Sequence, residues 1–217
     1  MKKLFLMLAI VFGITFAAQA QIPYYAGTPK SNYFYTSGKI KVEKNPAIES
    51  YSTYQRGIGN HLALGVDFYT YNKDMYLGYQ VRGNFFTSEK FAIGAQVTPS
   101  FDLRNGHKFA YLTTGLFLNG YIYEGLHWVD NVWITTMPDG STTVRNWAYL
   151  ANTFTFDENN SLTPMVGFFH DMYGGGINPD LAFGAYWTCG SFGDVYLWTD
   201  KTFEKNPRIV LGIDFFF

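Results

Sequence analysis

The sequence predicts an all-β fold, an antiparallel transmembrane β-barrel of ten to twelve strands in one domain. Three observations predict it. Aromatic residues make up 20% of the chain, with 17 Tyr and 21 Phe, while charged residues make up only 15%, against about 25% in ordinary soluble domains. Beyond residue 20, no apolar run reaches the roughly 18 residues that a membrane helix needs. Between turn-forming clusters, apolar residues alternate with small or polar ones at a period of two, the signature of strands with one apolar face. A barrel reconciles the three, because its outward apolar residues are diluted one for one by inward ones.

From the N-terminus, residues 1–20 read as a secretory signal peptide: Lys2 and Lys3, an apolar run from Leu4 to Phe16, then small residues at Ala18 and Ala20. The run falls short of the roughly 20 residues that span a bilayer as a helix, so a mature chain starting at Gln21 is expected. Its removal takes two of the 16 Lys and Arg and none of the 17 Asp and Glu. The mature chain is then weakly acidic, which gives no basis for a nucleic-acid partner. Cys189 is the only cysteine. It can form neither an internal disulfide nor a zinc cluster, and it lies far from the signal-peptide junction, where a lipid anchor would need it.

The barrel is expected over residues 47–217. Turn-forming clusters such as Asn72-Lys73-Asp74, Arg104-Asn105-Gly106-His107, Pro138-Asp139-Gly140-Ser141 and Lys205-Asn206-Pro207 separate the segments. Ten strands follow: 61–71, 75–86, 91–103, 108–123, 126–136, 142–156, 162–173, 180–189, 193–200 and 208–217. Residues 47–57 add another, with Gly57-Ile58-Gly59-Asn60 as a tight turn into 61–71. A strand near 31–42, within the N-terminal segment 21–46, then restores the even number that bacterial single-chain barrels have, which favours twelve over ten. Residues 21–46 have three available places: in the wall, inside it, or outside the membrane at the end of the barrel.

The alternation assigns faces. Leu62, Leu64, Val66 and Phe68 oppose Ala63, Gly65 and Asp67. Met75, Leu77, Tyr79 and Val81 oppose Tyr76, Gly78, Gln80 and Arg82. Phe91, Ile93, Ala95 and Val97 oppose Ala92, Gly94, Gln96 and Thr98. The second face is rich in Gly, Ala and Tyr and poor in Lys and Glu, which suits a narrow lumen better than a water-exposed sheet. Trp128, Trp133, Trp147, Trp187 and Trp198 are expected in the aromatic girdles where strands meet lipid headgroups.

The last ten residues, Arg-Ile-Val-Leu-Gly-Ile-Asp-Phe-Phe-Phe, place Ile209, Leu211, Ile213, Phe215 and Phe217 on one face. With the signal peptide and the strand pattern, this terminus resembles bacterial outer-membrane β-barrel proteins. Their last strand is amphipathic, ends in an aromatic residue and is the recognition signal for the barrel assembly machinery. The resemblance covers the chain as an architecture and points to no subfamily. It implies an outer-membrane location, contact with outer-membrane lipid, the assembly machinery as a partner during biogenesis, and an assembly-signal role for those five residues.

Little in the sequence carries chemistry. His61, His107, His127 and His170 form no metal-ligand pair, and neither a metal nor a cofactor is expected. His170 and Asp171 are adjacent in a strand, so they face opposite ways and make no catalytic pair. Some outer-membrane barrels are lipid-modifying enzymes, and the deacylase type uses a strand His followed closely by Ser. His170 and His127 both lack that Ser, which argues against an enzyme. Gly174-Gly175-Gly176 has no Lys-Ser or Lys-Thr after it and is no phosphate loop. The charges within strands are more informative: Asp67, Arg82 and Asp214, with Gln80, Gln96 and Asp171, fall on lumen-facing positions, because a bilayer-facing charge is costly. If the barrel closes, the last strand lies beside the first and brings Asp214 towards the early-strand charges. These residues form either a packed network of paired charges and tyrosines or a constriction that selects solutes. The leading functional expectation is a small passive, porin-like channel for small solutes. A closed-lumen structural or adhesion barrel is the alternative, and a lipid-modifying enzyme the second alternative.

Overall fold

The computed structural model describes residues 26–29, 31–42, 46, 48–88, 90–123, 125–172, 178–190, 193–200, 202 and 207–217, excluding the side chains of residues 171, 172, 178 and 216. The signal peptide expected at 1–20 and the glycine run 174–176 lie outside the described residues. Thirteen strand segments follow in order: β1 Asn32–Lys41, β2 Ile48–Ile58, β3 Leu62–Tyr71, β4 Asp74–Thr87, β5 Phe91–Asp102, β6 Lys108–Tyr123, β7 Leu126–Thr136, β8 Thr142–Asn152, β9 Phe154–Asp157, β10 Asn160–Met172, β11 Asn178–Cys189, β12 Asp194–Asp200 and β13 Arg208–Phe216. Each pairs antiparallel with its neighbour, and β13 returns to β1 through a register running from Tyr33↔Phe216 to Lys41↔Arg208. Asn32 and Phe217 exchange both backbone hydrogen bonds at 3.1 Å across this seam. Apart from the short β9, which pairs only with β10, the described strands close into a continuous wall, the condition for β-structure in hydrocarbon.

β8 and β9 are one stave. Both pair with β10 in a single register, Met165↔Ala151 and Leu162↔Phe154, interrupted beside Pro164, whose ring nitrogen has no hydrogen to donate. The segment expected as one strand over 142–156 is thus broken at Thr153, and the barrel has twelve staves. Gly57 and Ile58 belong to β2, paired with Ala63 and Leu62, so the turn into β3 falls at Gly59-Asn60-His61 rather than at 57–60. Asn72 takes a left-handed conformation, φ 54°, in the two-residue connection between Tyr71 and Asp74, where the twist of a hairpin demands it. β1 starts and β13 ends at one end of the barrel, here called the terminal end; the opposite end is the loop end.

The outer wall is apolar. Leu64, Val66, Val81, Val97, Leu116, Leu150, Val166, Leu197 and Leu211 are all exposed, a continuous surface that water would not tolerate and hydrocarbon would. A bulge between Asn84 and Phe86 turns both Phe85 and Phe86 outward, one extra residue shifting the alternation. Beside them, Tyr121, Tyr123 and Phe156 are also exposed near the terminal end.

The tryptophans depart from expectation. Trp128 covers Gly120 on the outer wall and Trp187 is exposed there, as girdle residues should be. Trp133 and Trp147 instead line the interior, and Trp198 is buried in the core cluster. β7 and β8 carry large apolar side chains on both faces, so alternation alone did not tell inside from outside for these rings.

Candidate functional site: an open vestibule above a packed lumen

Strand parity places Asp67, Gln80, Arg82, Gln96 and Asp214 inside the barrel, all buried. Four of them meet across β3, β4 and β5. Gln80 Nε2 donates to Asp67 at 3.2 Å and 3.3 Å. Arg82 Nη1 donates to Gln96 Oε1 at 3.4 Å, and Gln96 Nε2 donates to Thr98 Oγ1 at 3.1 Å. The guanidinium lies over the Phe117 ring, 4.3 Å from its centroid, a contact strengthened where water is excluded. Gly78 makes room for this band: a Cβ there would stand 2.6 Å from Thr98 Cγ2. Asp214 belongs to a second cluster at the terminal end. It accepts hydrogen bonds from the Tyr33 hydroxyl at 3.1 Å, the Tyr196 hydroxyl, and the Asp194 backbone N–H at 2.9 Å. Closure of β13 on β1 brings it opposite Tyr35, and its partners there are tyrosines. The backbone of Asp171 pairs with Arg145 on β8; its side chain lies outside the described atoms.

Above the Arg82 level, the lumen opens as a cavity of about 460 Å³ at the loop end. Tyr69, Tyr76, Tyr111 and Arg145 stand in its wall, with Lys39 and Glu49 paired at 3.7 Å near its mouth. Its floor holds Arg82, Asp67 and Gln96 beside Trp133, Trp147 and Phe169. In the loop after β7, Asp139 accepts from the Ser141 hydroxyl at 2.6 Å and the Ser141 N–H at 2.9 Å. Those hydrogen bonds, the hydroxyl first, hold its carboxyl below the usual range.

Below the Arg82 level, the lumen is filled. Tyr33, Tyr35, Tyr149, Met165, Tyr186, Tyr196 and Trp198 form one buried cluster, with Trp147 packed against it. Trp147 meets Trp198 edge-on at 4.0 Å and Phe169 at 5.2 Å, so it joins vestibule floor to packed core. The segment Ala26–Pro29 also lies inside. Ala26 N–H donates to Asn119 Oδ1 at 2.9 Å, Arg82 Nε donates to the Gly27 carbonyl at 3.1 Å, and Thr28 Oγ1 donates to the Asn60 carbonyl at 3.4 Å. Ala26 packs so close to β5 that a Cβ on Gly94 would stand 2.3 Å from its carbonyl oxygen. Arg82 therefore serves both the vestibule floor and this internal segment.

The sequence reading missed Lys39, Glu49, Arg145 and Ala26–Pro29; it expected tyrosines in the lumen, Tyr76 among them, but not the cluster of Tyr33, Tyr35, Tyr149, Tyr186 and Tyr196. Parity was the available signal for Arg145, which shares its face with Thr143 and Trp147. Ala26–Pro29 carries no periodic pattern to read. Among the described residues, no group of three or more His, Cys, Asp or Glu is placed to hold a metal. His61 and His107 are exposed in turns. His127 is buried, with Nδ1 2.8 Å from the Gly125 carbonyl.

No protein-family model matches the chain, and no curated protein matches its sequence. Solved structures do match, and they are bacterial outer-membrane barrels. A NanC porin aligns with a TM-score of 0.60 at 10% identity, covering 85% of this chain and 100% of its own. A KdgM porin, solved in complex with disordered oligogalacturonate, aligns with a TM-score of 0.60 at 7% identity, covering 85% and 99%. An outer membrane channel from Pseudomonas putida F1 aligns with a TM-score of 0.52 at 10% identity, covering 92% and 100%. At such identities the likeness is one of fold: this chain has the closed-barrel fold seen in small porins.

Proposed function

We propose that this is an outer-membrane barrel acting as a small passive channel. The apolar wall sits in the bilayer with the terminal end in the periplasm. Small solutes enter the loop-end vestibule, and the band of Asp67, Gln80, Arg82 and Gln96 forms the selecting constriction. The observation that carries this reading is the cavity of about 460 Å³, open at the loop end and floored by buried charge. A purely structural barrel has no need to keep that space empty. Hydroxyl and aromatic groups in its wall suit polar solutes, and the proximity of Arg82 and Asp67 offers both signs of charge at the vestibule floor. The porin fold of the similar structures supports the same reading. The chain is read as a channel and not as an enzyme, in keeping with the porin and channel structures it resembles in fold.

The deciding experiment is single-channel conductance of the refolded mature protein in a planar bilayer. Steady, discrete openings, with conductance or ion selectivity altered by Arg82→Ala, are expected. A correctly inserted but silent barrel would overturn the channel. It would favour the second reading, a closed-lumen structural or adhesion barrel, which rests on the buried Tyr33, Tyr35 and Tyr196 and on Ala26–Pro29 in the terminal half.

Biogenesis follows from the last strand. Ile209, Leu211 and Phe217 are exposed on the outward face of the seam, with Ile213 and Phe215 half-buried between them. These five residues are read as the signal for the barrel assembly machinery. Removal of Phe217, whose backbone closes the seam with Asn32, should leave most of the protein outside the outer membrane.

A further inference from the structure

Besides the hydroxyl pairs Thr36–Ser52 and Ser50–Thr70, the outer wall carries a polar strip with an acid and an imidazole that the channel reading does not use. On β7, the lumen positions are His127, Val129, Asn131 and Trp133, so Asp130 faces outward. On β8, Arg145 and Trp147 line the cavity, so Asn146 faces outward. On β10, Met165 and Phe169 point inward, so His170 faces outward. The three are neighbours. Asn146 lies directly opposite His170 across β8 and β10, and opposite Val132 across β7 and β8. Its Nδ2 donates to Asp130 Oδ1, and to the Asn131 carbonyl at 3.3 Å. His170 packs 6.2 Å from Phe168, and its Nδ1 is buried without a hydrogen-bond partner among the described residues.

Around this strip the wall is hydrocarbon-like: Ile134, Leu150, Val166 and Phe168 are exposed. Acyl chains supply neither donor nor acceptor, so a carboxylate and an imidazole here need a polar partner. The strip has an acid at one side, an amide at the centre and a base at the other. Reversed by a two-fold axis, that order is complementary to itself. Ala148, opposite Asp130, keeps the wall low between the strip and Phe168, and small outward residues let two walls approach closely.

We infer that the β7–β8–β10 wall is the interface between two copies of this chain, related by a two-fold axis through Asn146 that sets Asp130 of each copy against His170 of the other. Two such contacts close a symmetric dimer with no further surface left to propagate. The inference rests on the membrane placement proposed above but not on an open lumen.

The test uses the full mature chain with Cys189→Ser, inserted into phosphatidylcholine vesicles. Insertion is checked by heat-modifiable electrophoretic mobility, and the vesicles are then oxidised to form disulfides. Asn146→Cys should crosslink into dimers. Val66→Cys, on the outward face of β3 nearly across the barrel, should not. Adding Asp130→Asn or His170→Phe should cut the crosslinked fraction several-fold. The exchange Asp130→His with His170→Asp should restore it, because the pairing survives with its sides swapped. Inserted barrels that do not crosslink at position 146, crosslink equally at 66, or crosslink regardless of Asp130 and His170 would overturn the dimer while leaving the channel reading untouched. A monomer whose heat resistance rises only with added phosphate-rich lipid would assign the strip to a headgroup instead and also overturn it. Failure to insert would remove the membrane placement on which both readings stand.

Discussion

The two halves of the lumen share the same twelve staves, yet one holds an open cavity and the other is packed. In the loop half the inward positions carry Ser37, Ser100, Thr113, Thr135 and Thr143, short side chains around a cavity of about 460 Å³. In the terminal half β1, β8 and β12 carry Tyr33, Tyr35, Tyr149, Tyr196 and Trp198. A barrel of this strand number is too wide for small side chains to fill. The terminal half closes only because large rings reach the axis and Ala26–Pro29 occupies what they leave. Both halves carry large rings, with Tyr69, Tyr76, Tyr111 and Trp133 in the vestibule wall; the terminal-half rings differ in packing into one buried cluster, so openness is set by how the inward side chains pack and not by strand count. Arg82 sits at the boundary, bonded to both regimes.

The largest expected effect tests whether the packed half is a core in the energetic sense. Tyr33 is fully buried and donates to Asp214, so Tyr33→Ala leaves a cavity and an acceptor without its donor. By analogy with aromatic-to-alanine changes in cores, the loss should be about 3–5 kcal/mol. Tyr69 stands in the vestibule wall, stacked on Tyr76 at 6.1 Å and hydrogen-bonded to Glu49; Tyr69→Ala gives up the stacking and that hydrogen bond, about 1–2 kcal/mol. Reversible urea unfolding in vesicles compares the two. Equal losses would mean that the halves differ in shape but not in packing.

An intermediate effect concerns the boundary. Gly94→Val would drive a side chain into the Ala26 carbonyl, 2.3 Å from the position of Cβ. Ala26–Pro29 then has to leave its site, while β5 itself accepts a β-branched residue. If the segment is what separates the two regimes, the conductance of Gly94→Val should exceed that of the parent protein. Gly38→Val, where a Cβ meets nothing within 4 Å, should leave it unchanged. An increase in neither variant would place the barrier in the tyrosine cluster alone.

Much of this contrast was legible in the sequence, but unevenly. In β3, β4 and β5 one face is apolar and the other is small or polar, so alternation alone assigned Asp67, Gln80, Arg82 and Gln96 to the interior. The last strand was legible for the same reason. In β7 and β8 both faces carry apolar rings, and parity without polarity contrast sent Trp133 and Trp147 to the girdle when they belong to the vestibule. Asp130 and Asn146 were given no face from the sequence, because the two faces of β7 and β8 do not differ in polarity. Asp214 was placed inside correctly by its strand, but its tyrosine partners come from β1 and β12 and required the closed seam to be seen. Ala26–Pro29 has no period at all: its place is fixed by single hydrogen bonds to Arg82, Asn119 and Asn60, which no local pattern announces.

The smallest effect lies at the mouth and sharpens the contrast from the open side. Lys39 and Glu49 are 3.7 Å apart, with side chains 20% and 24% exposed, so solvent and salt screen their attraction. Glu49→Gln should change stability by less than about 1 kcal/mol, and by less still at high ionic strength. Its consequence should appear in permeation instead. The cavity lining holds Lys39, Arg82 and Arg145 against Glu49 and Asp67, and neutralising Glu49 tips that balance towards cations on the wall. A modest shift of the permeability ratio towards anions, measured by reversal potential in asymmetric salt and fading as salt is raised, is the expected outcome. A shift in stability without one in selectivity would mean that the mouth behaves like the packed half, with its charges holding the wall together and not acting on what passes.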